Sequence, residues 1–368
     1  MTSITKISIW KIDLISHVPY YMAGGKTCLS VPSIILRIDT DAGISGWGEV
    51  CPIPHYLPAY ADGVIPAISE MAEVLIGADP IGPEALMKKL DRHLIGHVYA
   101  KSAIDIALWD LTAKAAGLPL YSLLGGLQTE KLPLYKSITC TDPDKMAAIA
   151  EEGYREGIRQ FQVKLGSDND WRRDVGRMEA VRNAVGNGPL VFGDWNCGFS
   201  QLDAIRAGRA LSSLDVMLEQ PCATIESCSV VRHATGLPMK LDESAHDIHS
   251  LLHGHQLGCM DAAALKLSKF GGISATRRAR DLCLELGTKM VIEDTWGSDI
   301  TTSALMHLAS ATDRSAIMNV CNLADYVGPK LSSEAYFVKD GFASVSQAPG
   351  LGVAPDLSVL GEPAIAFS

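Results

Sequence analysis

No apolar run in this 368-residue chain approaches the roughly 18 residues that a membrane-spanning helix needs. An excess of cations is missing too. The 32 Lys and Arg face 42 Asp and Glu, for a formal net charge of −10, whereas a nucleic-acid binder normally carries a basic face. The negative total does not exclude an anionic substrate, because a bound dication reverses the field around it. The nine cysteines are scattered, odd in number and contain no C-x-x-C pair. That pattern points to reduced thiols in a cytoplasmic compartment rather than to a disulfide framework or a zinc site. No Gly-rich dinucleotide fingerprint follows the first strand-like segment, which argues against a doubly wound nucleotide-binding sheet.

What remains has the balance of a soluble globular protein, with 47% hydrophobic and 20% charged residues. Its length suits a barrel plus a second domain. Met1 to His17 alternates apolar and polar residues around Lys6, Lys11 and Asp13, so it reads as a strand and not as a targeting segment. Ile4–Ile15, Ser33–Ile38 and Ile44–Glu49 form a candidate antiparallel sheet, with Asp41-Ala42-Gly43 as a turn. The loop holding Ala23-Gly24-Gly25-Lys26 has the make-up of a lid. Gly63–Asp91 reads as helical with a break near Asp79-Pro80, and Ala100–Ala116 as a long helix closed by Gly117 and Pro119.

From about residue 130 short apolar runs alternate with amphipathic stretches. The strands expected are Pro133–Ser137, Gln160–Lys164, Leu190–Asp194, Val216–Glu219, Met239–Asp242, Ala262–Lys266, Lys289–Glu293 and Ile317–Val320, with seven helices between them. Eight strands and seven helices imply a parallel (β/α) barrel. The tail from Gly328 is strand-like again, turns at Asp340-Gly341, and is expected to return to the N-terminal sheet.

The chemistry lies at the strand ends. Lys164, Asp194, Glu219, Asp242 and Lys266 close five successive strands, at intervals of 30, 25, 23 and 24 residues, each about one β/α repeat. Groups so placed converge on the C-terminal mouth of a barrel, where barrel enzymes work. Three carboxylates on adjacent strands make an oxygen-only site for a hard dication, Mg2+ above all. The lysines flank that site. Their mutual crowding and the nearby dication would disfavour the ammonium form and make a neutral amine base accessible, while the metal held the substrate carboxylate and stabilised the enediolate left by proton removal.

Longer motifs carry a resemblance. Ala100-Lys101-Ser102-Ala103-Ile104-Asp105-Ile106-Ala107-Leu108-Trp109-Asp110-Leu111, Gly117-Leu118-Pro119-Leu120, Gly46-Trp47-Gly48-Glu49, Leu218-Glu219-Gln220-Pro221, Leu241-Asp242-Glu243-Ser244 and Leu265-Lys266-Leu267-Ser268-Lys269 with Gly271-Gly272 resemble the mandelate racemase/muconate lactonizing enzyme family of the enolase superfamily. The resemblance covers essentially the whole chain. It implies an α/β architecture: a modified TIM barrel, (β/α)7β, over 129–327, with an α+β capping domain formed by 1–128 and the returning tail 328–368. It also implies Asp194, Glu219 and Asp242 as Mg2+ ligands, Lys164 and Lys266 as opposed acid/base groups, and a homo-oligomer, dimer or octamer. One departure is evident. Many relatives have Lys-x-Lys on strand two, where this chain has Gln162-Val163-Lys164, so a positive neighbour of Lys164 is missing. His246, His249, His253 and His255, on the helix after strand five, read as surface or interface residues.

The stretch Ile292-Glu293-Asp294-Thr295-Trp296-Gly297 is similar to relatives that act on proline derivatives, either epimerising hydroxyproline betaine or dehydrating cis-3-hydroxy-L-proline. Asp294 would meet a substrate ammonium, and Trp296 would cover a ring or a cation. Betaine epimerases take an aromatic from strand eight, where Asn322 falls in this chain, which favours an ordinary secondary ammonium. The resemblance therefore implies a lyase that dehydrates cis-3-hydroxy-L-proline, an amino-acid substrate, with weak proline epimerisation. Gln162, Thr295, Tyr56 and the Gly24-Gly25 loop complete the expected substrate contacts. The rivals are an epimerase of betaines, dipeptides or N-acylated amino acids, a cycloisomerase of muconate type and, from another class, a catalytically silent binding protein.

Overall fold

A computed structural model of the chain describes residues 2–54 and 58–368. Its N-terminal third is a sheet with helices on one face. Strands β1 (Ile4–Tyr21), β2 (Thr27–Thr40) and β3 (Ser45–Val50) run antiparallel in sequence order. They are followed by α1 (Ala61–Leu75), α2 (Pro83–His93) and α3 (Val98–Ala115). The alternation in β1 and β2 turns Ile7, Ile9, Ile34, Leu36 and Ile38 onto Ile68, Met71, Leu90, Ile104 and Leu108 of the helices.

Helix α3 is buried along almost its whole length, from Tyr99 to Leu111, because it is held between the sheet and the rest of the chain. The Gly-x-Gly of β3 makes this possible. A β-carbon on Gly46 would stand 2.1 Å from the Ala107 carbonyl oxygen, and one on Gly48 1.9 Å from that of Ala103, so only glycine lets the helix backbone lie this close.

After the short α4 (Leu120–Leu123) comes β4 (Leu132–Pro133), and then the barrel. Its elements are β5 (Lys136–Ile138), α5 (Pro143–Arg155), β6 (Gln160–Lys164), α6 (Trp171–Val185), β7 (Leu190–Asp194) and α7 (Gln201–Ala210). They continue with β8 (Val216–Glu219), α8 (Ile225–Thr235), β9 (Met239–Leu241), α9 (Ile248–Gln256) and β10 (Ala262–Lys266). The short α10 (Leu267–Phe270) precedes α11 (Ile273–Leu286), β11 (Lys289–Glu293), α12 (Asp299–Ser310) and β12 (Ile317–Val320). The eight strands β5 to β12 are parallel and neighbours in sequence order. A parallel bridge between Leu134 and Val320 joins the first strand to the last.

The first barrel strand departs from the run expected at Pro133–Ser137. It is split, because Leu132 and Pro133 pair antiparallel with Ala343 and Phe342 before the chain bends into the barrel. The tail is likewise divided. Strands β13 (Val327–Gly328) and β16 (Ile365–Phe367) pair with β1. The hairpin of β14 (Tyr336–Lys339) and β15 (Phe342–Val345), turning at Asp340-Gly341, pairs instead with β4. Both turn residues have positive φ, 52° and 77°, as a tight two-residue hairpin turn demands.

Two buried carboxylates lock the sheet-and-helix layer to the barrel, and a third ties it to the C-terminal tail. Glu49 of β3 accepts from the backbone N–H and hydroxyl of both Ser298 and Thr301, so it caps the first turn of α12. Asp105 of α3 takes the Ser274 N–H and hydroxyl at 2.8 and 2.6 Å, and burial pushes its carboxyl up to about 7. Asp110 accepts from Trp47 N, Leu351 N and the Lys114 ammonium. Among the described residues no helix is long and apolar enough to cross a membrane.

Candidate active site

Strand register brings the charged residues to one level. Lys164 is paired with Asp194, Asp194 with Glu219, and Lys266 with Glu293. A cleft with about 490 Å3 of empty space, partly open to solvent, lies at this mouth; Lys164, Lys266, Gln162, Asn196, Glu293, Asp294, Thr295 and Trp296 line it. Strands β6 and β10 are four places apart in the eight-stranded order, so Lys164 and Lys266 face each other across the barrel.

Each carboxylate is answered by an ammonium. Lys164 Nζ is 2.5 Å from Asp194 Oδ2, Lys266 Nζ 2.7 Å from Asp242 Oδ2, and Lys240 Nζ 2.8 Å from Glu219 Oε1. Lys269 adds a second cation to Asp242, at 3.0 Å. All three acids are buried, Asp194 and Glu219 wholly so. Burial alone would raise the Asp242 carboxyl, but Lys266, Lys269 and Lys240 hold it well below the usual carboxylate range.

Lys266 departs from the sequence reading. Crowding was expected to favour neutral amines, yet burial of Lys266 is outweighed by Asp242, Glu293 and Glu243, which hold the ammonium well above its ordinary value. Lys269 goes the other way. Burial lowers it, Asp242 opposes, and the Lys266 charge beside it lowers it further. Strand spacing fixes which side chains meet at the mouth, but not which carboxylate an ammonium rests upon.

Gln162 occupies the place of the absent lysine and is built into the site. Its amide N–H donates to Glu219 Oε2 at 2.8 Å and, more weakly, to Asp194 Oδ2 at 3.3 Å. Its Oε1 accepts from the Ser137 hydroxyl, which is hydrogen-bonded in turn to the Tyr20 hydroxyl. A chain of contacts thus runs from β1 to the carboxylates. Asn196 is a further member that the sequence did not single out, donating to Asp194 and to Glu243, both at 3.1 Å. The Glu243 carboxyl is pushed up to about 7 by burial and by Asp242 and Asp194.

On the strand-seven side, Asp294 accepts from Ser268 N at 2.9 Å, from the Ser268 hydroxyl, and from Thr295 N at 2.6 Å. Burial raises it to about 6 against those bonds. The Thr295 hydroxyl meets Tyr99 at 3.3 Å. Trp296 is buried edge-to-face on Tyr20, ring centroids 5.4 Å apart.

Asn322 requires a correction. The cleft wall on the strand-eight side is Cys321 and Leu323, whereas Asn322 faces a separate cleft beside Lys136 and Lys330. Aromatic residues are nonetheless present, since Tyr20, Tyr135, Trp296 and Tyr326 all line the site. Of the expected lid, Ala23–Gly25 forms one 3-10 turn that docks on the loop after β6 through a Gly24 N–H to Gly166 carbonyl bond of 3.0 Å. Tyr56 lies outside the described residues. His253 pairs with Glu226 on the outer helices, and none of the four histidines lines the cleft.

Among the described residues no three acidic, His or Cys side chains are grouped as ligands of one ion. The donor set nevertheless fits Mg2+. It is all oxygen, it sits on adjacent strands, and it is self-repelling: burial and then the Asp194 charge push the Glu219 carboxyl up to about 8. A hard dication relieves that repulsion and takes such oxygens as ligands.

An eight-stranded parallel barrel that gathers buried carboxylates and lysines at the C-terminal ends of its strands has the architecture of the barrel enzymes. Residues 5–125 match the mandelate racemase / muconate lactonizing enzyme N-terminal domain, and residues 145–359 the enolase C-terminal domain-like family. The chain belongs to the mandelate racemase/muconate lactonizing enzyme family and is an enzyme of the enolase superfamily. It is 39% identical over 368 residues, 99% of this chain and all of the relative, to a cis-3-hydroxy-L-proline dehydratase of Roseibium aggregatum. It is 28% identical to an L-Ala-D/L-Glu epimerase of Bacillus subtilis, over 78% of this chain and 79% of that one. Among solved structures, a mandelate racemase/muconate lactonizing enzyme from Roseovarius nubinhibens superposes with TM-score 0.96 at 33% identity, covering 100% of this chain and 99% of the other. An enolase-superfamily member from the same organism, complexed with magnesium, gives 0.94 at 32% identity with full coverage of both chains.

Proposed function

We propose that this enzyme dehydrates cis-3-hydroxy-L-proline to Δ1-pyrroline-2-carboxylate, with Lys164 and Lys266 as its acid/base pair and Asp194, Glu219 and Asp242 as Mg2+ ligands. The observation that carries the reading is that the two lysines line one cleft from opposite walls, with the three carboxylate strands between them. The Roseibium relative, similar over its full length, supports the substrate. When bound, Mg2+ would supply the positive charge that holds the substrate carboxylate and lowers the cost of removing the α-proton.

The chain's own groups do the rest. In the cis-3-hydroxy-L isomer the hydroxyl lies on the ring face of the carboxylate, so the α-proton lies on the other face. One lysine takes that proton while the other, across the cleft, protonates the departing hydroxyl. The enamine released tautomerises to the imine. The same pair would slowly epimerise proline, which has nothing to expel. Incubation of the cis-3, trans-3 and trans-4 isomers and proline with enzyme and Mg2+ in D2O, followed by NMR, tests this. Water loss is expected from the cis-3 isomer with strong preference over both trans isomers, together with slow α-deuteration of proline. Comparable turnover of the trans-3 isomer, or α-exchange of the cis isomer without water loss, would overturn the dehydratase assignment. The second outcome would favour an epimerase, a reading supported by the four aromatic residues that line the cleft, since aromatic rings suit a quaternary ammonium.

Asp294 is assigned the substrate ammonium. Its carboxyl titrates at about 6, so it is charged above that pH and loses its attraction for a cation as pH falls through it. KM is therefore expected to rise below pH 6. Asp294→Asn should raise KM throughout and remove that pH dependence, with Mg2+ affinity nearly intact. An unchanged KM would put the ammonium against another group.

A further inference from the structure

Lys240 is the one lysine among the described residues with no exposure at all, and it stands inside a strand, between Met239 and Leu241. A lysine is almost never fully buried unless it is paired. Here the ammonium is 2.8 Å from Glu219 Oε1 and 3.3 Å from Glu293 Oε1, with the Phe192 and Tyr135 rings 5.1 and 5.9 Å away. Glu293 is held in turn by the Tyr135 hydroxyl on its other oxygen. Side chains two apart on a strand share a face, so Lys240 lies one layer beneath Asp242, as Gln162 lies one layer beneath Lys164. From these two positions the pair grips Glu219 on opposite oxygens: Gln162 Nε2 reaches Oε2 at 2.8 Å, while Lys240 is ion-paired to Oε1.

We propose that Lys240 is the positioning residue of this site: from β9 it supplies the interior cation that fixes Glu219 in orientation, a charge that strand two, bearing Gln162, does not supply. The inference rests on the assignment of Glu219 as a metal ligand. Outer partners of ligating carboxylates typically command 10–100-fold in metal affinity or activity, and a cation that also ties Glu219 to Glu293 falls in that class. The arrangement has a further consequence. Because Gln162 already touches the other Glu219 oxygen, a lysine at 162 would reach the same carboxylate, and the charge should be movable from strand five to strand two.

The experiment measures Mg2+ affinity calorimetrically, and Mn2+ affinity by electron paramagnetic resonance, in wild type, Lys240→Gln, Gln162→Lys and the double variant Gln162→Lys/Lys240→Gln. Thermal melting of each metal-free protein is recorded alongside. Lys240→Gln is expected to weaken both metals by at least about 10-fold, and the double variant to recover most of that loss. A purely structural lysine would lower the melting temperature of Lys240→Gln without moving metal affinity, and that result overturns the proposal. If Lys240→Gln does not fold, the double variant decides alone. Folded and binding metal near the wild-type level, it upholds the transferable charge; folded and weakened as much as 10-fold, it overturns it. Wild-type protein that takes up neither metal would overturn the metal-ligand assignment together with this one, whereas tight wild-type binding unaffected by Lys240→Gln overturns the role of Lys240 alone.

Discussion

Lys164→Ala and Lys266→Ala should each lower turnover of cis-3-hydroxy-L-proline by at least about 10²-fold, since a positioned general acid or base contributes typically 10²–10⁴-fold. The losses should fall on turnover rather than on folding. Each lysine is only slightly exposed, but each stands at the open mouth rather than in the barrel interior. Arginine is the informative replacement. It keeps a positive charge opposite Asp194 or Asp242, yet it cannot give up its proton at any working pH, so Lys164→Arg and Lys266→Arg should remain as impaired as the alanine variants. The two positions then separate by isotope. The variant lacking the base should neither lose water nor exchange the substrate α-proton in D2O. The variant lacking only the acid should continue to exchange while expelling hydroxide poorly. Wild-type turnover by any of the four variants would remove that lysine from the reaction.

The strand ends were readable in the sequence because a charged residue closing a short apolar run has few alternatives to a barrel mouth. Lys164, Asp194, Glu219, Asp242 and Lys266 all lie at that level, and helices α6 and α11 fall between the expected strands. Legibility fails where long-range pairing decides. Pro133 leaves the expected first strand only because the hairpin of β14 and β15, far later in the chain, pairs with it and with Leu132 before it. Asn322 was expected in the cleft, but the chain turns into a 3-10 segment at that point, which exposes Cys321 and Leu323 to the cleft instead. Lys240 carries a weaker signal. A lysine between two apolar residues in a strand buried on both faces needs an internal counter-charge, and the acidic strand ends one repeat before it, Glu219, and two repeats after it, Glu293, supply it.

Loss of the carboxylates should have the largest effect of all. Asp194→Asn, Glu219→Gln and Asp242→Asn should each weaken Mg2+ uptake and bring turnover near background, beyond the roughly 10–100-fold that outer partners of a metal site command, because a neutral amide replaces a charged oxygen donor. Exhaustive chelation of wild type should have the same effect reversibly, with activity returning on addition of Mg2+. The stability of the three variants should differ, and that difference checks the ion pairs directly. Each substitution removes a carboxylate from its ammonium, and breaking a buried pair from one side is strongly destabilising, by about 3–5 kcal/mol. Asp194→Asn strands Lys164, which lies next to open solvent in the cleft and can rehydrate. Glu219→Gln strands the fully buried Lys240, but leaves it Glu293 at 3.3 Å. Asp242→Asn strands both Lys266 and Lys269, two cations that then repel one another inside the barrel. The melting temperature of the metal-free protein should therefore fall least for Asp194→Asn and most for Asp242→Asn. Full activity in thoroughly chelated wild type would end the metal assignment, while an Asp242→Asn variant as stable as wild type would show that the two lysines move apart freely and that the ion pairs contribute nothing to the fold.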